Sequence, residues 1–408
     1  MNFTNTLYTN DNLFILTGLN NNLVDLIYLD PPFNSKRFYS APIGSRAAGS
    51  SFKDMWTWKD VNEAYLETLA GKYPALTDFI AATGAVHSKA MMAYLTYMAQ
   101  RIIEMHRILK DTGSLYLHCD ATASHYLKAL LDEVFGKDNF RNEIIWCYTG
   151  PGSPYMRQFN RKHDTIFWYT KGKTWTFNKK QILFPYKGGT PHSGGFTEKD
   201  GRRLVPEKYT EGKVPETWWI DIAIAPRSKN EYTGYPTQKP LALLTRIIKA
   251  SSNEGDIVLD PFCGCATTCV AAQQLGRKWI GIDIEKQAVS ILVERLSDDA
   301  GMFKDFINTK TPPQRTDIQK VEPIQSVKER LYKEQNSLCN ACGTEFDIWN
   351  LEIDHIIPKS KGGGNYYENY QLLCSNCNKM KSDNPMESLR LKIETRKKML
   401  KEKIIFGE

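Results

Sequence analysis

Apolar positions along this chain follow two habits. Short, nearly continuous apolar blocks occur at 23–29 (LVDLIYL), 113–120 (GSLYLHCD), 142–148 (NEIIWCY), 256–260 (DIVLD) and 279–284 (WIGIDI), with the length and branched or aromatic content of buried strands. Between them, MMAYLTYMAQRIIEMHRILK (91–110) repeats its apolar residues at helical spacing and stops before Asp-Thr-Gly, and ASHYLKALLDEVFG (123–136) ends in glycine. PLALLTRIIKASS (240–252) and TTCVAAQQLG (267–276) read as two further helices. Alternating strands and helices predict an α/β fold, a mostly parallel, doubly wound sheet with helices on both faces. The rhythm lapses between about 150 and 232 and returns afterwards.

Length and composition add boundaries. A chain of 408 residues is long for one domain. The polar, proline-bearing stretch KTPPQRTDIQKVEPIQ (310–325) reads as a linker between a first domain at 1–309 and a second at 326–408. Hydrophobic residues make up 41% and charged residues 24%, as in a globular chain, and no signal peptide or apolar run of spanning length is visible. A cytoplasmic, reducing setting follows, so the nine cysteines are expected to be free of disulfides, and no membrane is expected as a partner. The net charge of +7 is concentrated: Pro151 to Lys213 holds 13 Lys/Arg against 5 Asp/Glu. Basic and aromatic-rich, this stretch fits a surface facing a polyanion.

The strand at 23–29 runs into Asp30-Pro31-Pro32-Phe33. Two prolines remove two backbone donors and stiffen the chain, holding rigid one carboxylate, two carbonyls and one aromatic face. Such a group suits something flat that carries an amine. The strand DIVLD opens a second motif, DPFCGCATT, whose small residues let the backbone approach a ligand at a strand's carboxyl end. The next strand ends at Asp283, 23 residues beyond Asp260, about where an acid reaches the ribose of a nucleoside cofactor. G-x-G-x-x-G and a P-loop lysine are both missing, which disfavours NAD and ATP.

The pair DPPF and DPFCGCATT, in that order around a basic segment and with GYPTQKP at 234–240, resembles the β class of S-adenosylmethionine-dependent DNA amino-methyltransferases. The resemblance implies that Asp30 and the carbonyl of Pro31, in the rigid frame that Pro32 completes, accept the two N–H groups of an exocyclic base amine. The resemblance also has Phe33 stack on a base flipped from the duplex. No covalent cysteine intermediate is needed. It further implies cofactor contacts from Asp11, Lys239, Pro240, Asp260, Pro261, Phe262, Gly264, Ala266, Thr267 and Asp283. The family's Gly-Ser-Gly turn is Gly264-Cys265-Ala266 here, and alanine is expected to fit only with a negative φ. Aspartate in the first motif position favours adenine N6 over cytosine N4. Residues 150–232 become an inserted target-recognition region, with Trp168, Trp175, Arg157, Arg161 and Lys162 as candidate contacts to double-stranded DNA.

Two C-x₂-C pairs, Cys339/Cys342 and Cys374/Cys377, have the spacing of a four-thiolate zinc site. Between and beyond them, LEIDHIIPKSKGGGNYYENYQLLCSNCNKMKSDN resembles the HNH (ββα-metal) nucleases. The resemblance implies that His355 is the general base and that Asp354 and Asn378 hold a magnesium ion. It also has Asn369 fasten the loop that bears the histidine. Pro358 and Gly362-Gly363-Gly364 fit the intervening hairpin. The expectation is a single-chain adenine-N6 methyltransferase and endonuclease of restriction-modification type. The alternative is a cytosine-N4 methyltransferase whose zinc domain only clamps DNA. With one nuclease site per chain, a double-strand break takes two visits or two chains, as in a homodimer.

Overall fold

The computed structural model describes residues 5–34, 37–42, 45–47, 51–54, 69–70, 72–150, 157–184, 196–197, 203–204, 212–227, 231–285, 287–298, 306–317, 324–359, 365, 367–384, 386, 388–390 and 392–396. Its contacts gather into two units, one of residues 1–9, 22–56 and 105–309 and the other of 10–21, 57–104 and 310–408.

The first unit carries strands β1 (Thr6–Thr9), β2 (Val24–Leu29), β3 (Arg37–Ser40), β4 (Ser51–Asp54), β5 (Leu109–Cys119), β6 (Phe140–Cys147), β7 (His163–Thr170), β8 (Phe196–Thr197), β9 (Arg203–Leu204), β10 (Trp218–Trp219), β11 (Ile257–Asp260), β12 (Lys278–Asp283) and β13 (Ile307–Thr309). Two short antiparallel ladders, β3 with β4 and β8 with β9, stand apart. The rest form one sheet in the order β10-β6-β7-β5-β2-β11-β12-β1-β13. Neighbours are parallel except where β7 runs antiparallel to β5 and β6. The expected mixed α/β sheet is therefore present, and its strands and helices lie within a few residues of the apolar blocks that predict them. The strand expected at 113 begins earlier, at Leu109, directly after the helix Lys89–Ile108.

One finding departs from the sequence reading. β7 lies inside the stretch read as an insertion, yet it is an interior strand of the sheet, between β5 and β6. Its face is apolar enough to be buried: Trp168 stacks on Tyr116 with ring centroids 5.4 Å apart and donates its indole N–H to Ser114 Oγ at 3.1 Å. Trp168 is thus core and not a DNA contact.

Leu26, Tyr28, Tyr116, Ile166, Val258 and Trp279 share one apolar cluster that spans the central strands. Asp25 fastens the same strands from their polar side. Its carboxylate pairs with Lys110 Nζ at 2.7 Å and accepts Ile257 N–H at 2.9 Å, joining β2 to β5 and β11.

The second unit holds the helices Asn12–Gly18 and Pro74–Val86, most of Lys89–Ile108, the helix Ile324–Glu334, and the antiparallel pair β14 (Leu351–His355) and β15 (Tyr370–Cys374), followed by the helix Ser375–Lys381. Asp11 caps the helix Asn12–Gly18 by accepting Leu13 N–H at 2.8 Å, and Arg101 pairs with the same oxygen at 3.0 Å. Among the described residues no helix is long and apolar enough to cross a membrane.

The stretch read as a linker is not loose along its described part. Asn20 and Thr316 exchange two hydrogen bonds at 2.8 Å, and Asp317 accepts Asn21 N–H at 2.8 Å. A Cβ added to Gly18 would lie 2.0 Å from the carbonyl oxygen of Pro313, so the helix and residues 310–317 touch backbone to backbone. Gly18→Ala must therefore lift this stretch. Trypsin should cut the variant faster than the wild type at Lys310 or Arg315, and equal rates would show that the stretch does not dock in solution.

Candidate active sites in the two units

Parallel strands put their carboxyl ends on one edge, and in this sheet those ends are acidic. Asp30 follows β2, Asp260 ends β11 and Asp283 ends β12, on three adjacent strands. Burial raises Asp260 from an ordinary 3.8 to about 7, and Asp30 and Asp283 on either side add to it. The hydroxyl of Thr268 and the N–H of Phe262 both bond Asp260 and work the other way.

Asp30 has two unlike oxygens. Oδ2 takes a hydrogen bond from Lys239 Nζ at 2.5 Å, whereas Oδ1 is buried without a partner among the described residues. The lysine arrives from 209 residues away in the chain, on a turn that its neighbours hold tightly. Gln238 accepts both the N–H and the hydroxyl of Thr233 and donates to the carbonyl of Glu231, while the carboxylate of Glu231 accepts Leu241 N–H. Pro240 then caps the helix Leu241–Ser251. The same ammonium lies 5.5 Å from the ring centroid of Phe33. Sequence reasoning gave Lys239 to the cofactor; here its ammonium bonds the Asp30 carboxylate.

Phe33 stacks on His118, with centroids 6.2 Å apart and planes 16° from parallel. His118 is fully buried and bonded at both nitrogens, Nδ1 to Tyr28 Oη at 2.8 Å and Nε2 to Asp164 Oδ2 at 3.0 Å. Tyr148 donates to the other oxygen of Asp164 at 3.1 Å. Sequence reasoning missed His118, Asp164 and Tyr148. The available signal was a single polar residue inside an apolar block, as in SLYLHCD and HDTIFWYT.

The small-residue turn after β11 is built on Asp283. Its Oδ2 accepts Gly264 N–H at 2.7 Å and its Oδ1 accepts Glu285 N–H at 2.8 Å. Burial raises this carboxyl to about 6, against the pull of those two bonds. Gly264 sits at φ 50°, and a Cβ there would meet the ring of Tyr235 at 3.0 Å. Ala266 corrects the expectation of a negative φ: it takes φ 58° and ψ 32°, the left-handed region. Its N–H donates to the Cys263 carbonyl at 2.6 Å and its carbonyl accepts Val270 N–H at 3.0 Å. The turn imposes this geometry and the methyl group bears the strain. Pro261 and Phe262 form the start of the turn, and Thr267 begins the helix Thr267–Gln274. Asp11 lies in the other unit as a helix cap.

In the second unit the Sγ atoms of Cys339, Cys342, Cys374 and Cys377 all lie within 4.8 Å of one another, close enough to share one metal ion. Cys374 N–H donates to Cys339 Sγ at 3.3 Å, a bond that favours a thiolate there. Asp354 and His355 end β14. His355 Nε2 lies 2.9 Å from Asn365 Oδ1; an amide oxygen only accepts, so Nε2 is the donor of this contact and Nδ1 is the nitrogen left for other partners. Asn369 clasps the chain after His355: its amide accepts Ile357 N–H at 2.8 Å and donates to the Ile357 carbonyl at 3.1 Å, while its own carbonyl accepts Ile356 N–H at 2.8 Å. Pro358 is buried just beyond; Gly362, Gly363 and Gly364 fall outside the described residues. Asp354 and Asn378 each have another partner. Asp354 Oδ2 pairs with the buried Lys381 at 2.9 Å and accepts from Gln371 at 2.8 Å, and Asn378 donates to Glu352 at 2.6 Å. Lys381 also donates to the His355 carbonyl at 2.7 Å.

Of the remaining candidate DNA contacts, Arg157 and Arg161 are exposed and Lys162 is half-buried. Trp175 lies under Arg141, whose guanidinium is 3.8 Å from the ring centroid.

Two measurements check this edge. Because burial raises Asp260 and Asp283, the folded chain holds protons that the unfolded chain releases. That stabilisation is complete below about pH 4, and it is lost as pH rises through about 6 and about 7. The urea midpoint of the first unit should fall from pH 5 to pH 8, less steeply in Asp260→Asn; a flat profile would refute the raised values. Ala266→Gly should stabilise the chain by about 1 kcal/mol, the cost of a left-handed non-glycine residue, and a lower midpoint would refute the strain.

A DNA methylase family matches residues 24–294, and an HNH endonuclease family matches residues 339–384. The DNA adenine methyltransferase YhdJ of Escherichia coli is 35% identical over 204 residues, covering 50% of this chain and 67% of that protein. The type II methyltransferase M.EcaI of Enterobacter cloacae is 29% identical over 272 residues (53% and 60%). M.HpaI of Haemophilus parainfluenzae is 34% identical over 217 residues (52% and 62%). The chain thus spans between 60% and 67% of the length of these relatives. The matched stretch runs from β2 past Asp283 and takes in the whole acidic edge. This chain belongs to the DNA methylase family and carries an HNH endonuclease segment behind it.

Proposed function

We propose that this chain is a site-specific DNA adenine-N6 methyltransferase that uses S-adenosylmethionine, joined to an HNH endonuclease in one cytoplasmic restriction-modification protein. The observation that carries the reading is the asymmetry of Asp30: one oxygen engaged by Lys239, the other buried and without a hydrogen bond among the described residues. A buried acceptor left unbonded costs about 1–3 kcal/mol, and an amine N–H aimed at Oδ1 would recover it. The lone pair of an exocyclic amine is delocalised into its ring. Accepting one N–H at Oδ1 and the other at the Pro31 carbonyl draws the nitrogen towards a tetrahedral shape and frees that pair. When bound, S-adenosylmethionine supplies a methyl group on a sulfonium that needs no further activation. Asp283, Asp260 and the Gly264–Thr267 turn would hold it, a carboxylate-lined, small-residue edge suited to a ribose and a close backbone approach. Positioning and electrostatics then supply most of the rate. Adenine is favoured by the aspartate of the first motif and by YhdJ, a DNA adenine methyltransferase.

In the second unit, zinc on the four thiolates would hold the end of β15 and the helix behind it. His355, through Nδ1, would take a proton from water for attack on a phosphodiester. Asp354 and Asn378 would hold a magnesium ion, which when bound stabilises the phosphorane and the leaving oxygen. One observation favours a second reading, a DNA clamp without cutting: the charge of Asp354 is already matched by Lys381.

Asp30→Ala should lose methyl transfer by at least about 100-fold while still binding S-adenosylmethionine, as read by calorimetry. His355→Ala should lose cutting and keep methylation. Modification-sensitive sequencing of DNA from cells that make the His355→Ala protein should find N6-methyladenine at one fixed motif. N4-methylcytosine would overturn the choice of base, and no modified base would overturn the methyltransferase reading. A wild-type protein that leaves the unmethylated motif intact with magnesium present would favour the clamp.

A further inference from the structure

One face of the sheet carries a row of side chains across four strands. Tyr28 of β2 is registered opposite Tyr116 of β5, Tyr116 opposite Trp168 of β7, and Asp164 of β7 opposite Trp146 of β6. Side chains two apart on a strand share a face, so His118 joins Tyr116, Asp164 joins Ile166 and Trp168, and Tyr148 follows Trp146. The row is aromatic and apolar until it reaches the carboxyl edge, where it becomes His118 and Asp164. Packing alone does not call for that change. A buried imidazole and carboxylate cost desolvation that an apolar pair would not, and the rest of the row shows that apolar side chains fit this face.

The polar pair adds direction. Tyr28 stays protonated, because burial and the nearby Asp30, Asp260 and Asp164 all raise it, so its hydroxyl donates to His118 Nδ1. Burial pushes Asp164 up, but the hydrogen bonds from His118 and Tyr148, with the charge of Lys239 beyond, outweigh it and hold the carboxyl below its usual range. It therefore accepts from Nε2–H. Both ring nitrogens are committed and the imidazole cannot rotate. Trp146 supports it edge-on at 5.8 Å, and the ring of Phe33 lies nearly parallel to it at 6.2 Å. The second oxygen of Asp164 is held by Tyr148, which opens the basic segment before β7.

We propose that His118 and Asp164 are positioning residues for methyl transfer: they fix the ring of Phe33 that receives the target base, and Tyr148 ties that platform to the segment that meets DNA. The proposal rests on the reading of Phe33 as the base-stacking side chain. It is tested in the full chain carrying His355→Ala, so that DNA stays intact. The readout is labelled methyl transfer from S-adenosylmethionine to unmodified plasmid DNA.

Asp164→Asn should lower kcat about 10- to 100-fold, the cost of a misplaced reacting group, with KM for S-adenosylmethionine unchanged. Phe33→Ala should lower kcat as well, and adding Asp164→Asn to it should then change nothing further. A merely structural Asp164 would cost the same factor in both backgrounds, and that additivity would overturn the proposal while leaving the methyltransferase reading intact. Tyr148→Phe, which removes one hydroxyl from a half-buried site, runs the same cycle if Asp164→Asn fails to fold. It should give a smaller loss that likewise vanishes beside Phe33→Ala. A parent protein that transfers no methyl groups would overturn the reading of Phe33, and the platform with it.

Discussion

The pairing of Lys239 with Asp30 is where the long-range structure of the first unit meets its chemistry. A buried ion pair contributes little net stability, because desolvation cancels most of the attraction. Its value here is orientational. An aspartate beside a proline pair could turn either oxygen outward; one held at Oδ2 presents only Oδ1. That arrangement depends on the carboxyl end of β2 and on the 231–241 turn braced through Gln238 and Glu231. It depends also on the parallel order that sets β2 beside β11. A flaw in any of these reaches the Asp30 carboxylate directly.

The second unit solves a similar problem with amide groups. Asn369 binds both polar atoms of Ile357, fixing the chain two residues after His355 without a charge. Lys381 bonds the carbonyl of His355 and the carboxylate of Asp354 at once, so one buried ammonium sets the relative placement of two neighbouring groups. Both side chains are buried and both reach from the elements that follow the hairpin, β15 and its helix. The fold of this small segment and the geometry of its histidine are therefore hard to separate.

Much of this was legible in the chain. Strands buried on both faces are nearly continuous apolar blocks, and DPPF, DPFCGC and the two C-x₂-C pairs owe their meaning to local spacing. What could not be read was pairing across distance. β7 hides in a basic segment because its charged flanks mask a short apolar centre. Trp168 resembled a surface aromatic because nothing local reports that Tyr116 waits for it. His118 and Asp164 are 46 residues apart, and neither belongs to a motif. Ala266 was misjudged for another reason: residue preference was allowed to decide a conformation that the turn's hydrogen bonds impose.

The contact between Gly18 and Pro313 bears on how the chain could be divided. Composition invites a cut at the start of the polar stretch, yet residues 310–317 form the cover of the helix Asn12–Gly18 through backbone contact and paired asparagine bonds. A methylase fragment ending at Thr309 would bare that helix and read as an unstable domain, although nothing in its sheet had changed. A fragment ending after Asp317 keeps the cover, so the position of the cut would decide whether the methylase and HNH segments look independent or inseparable.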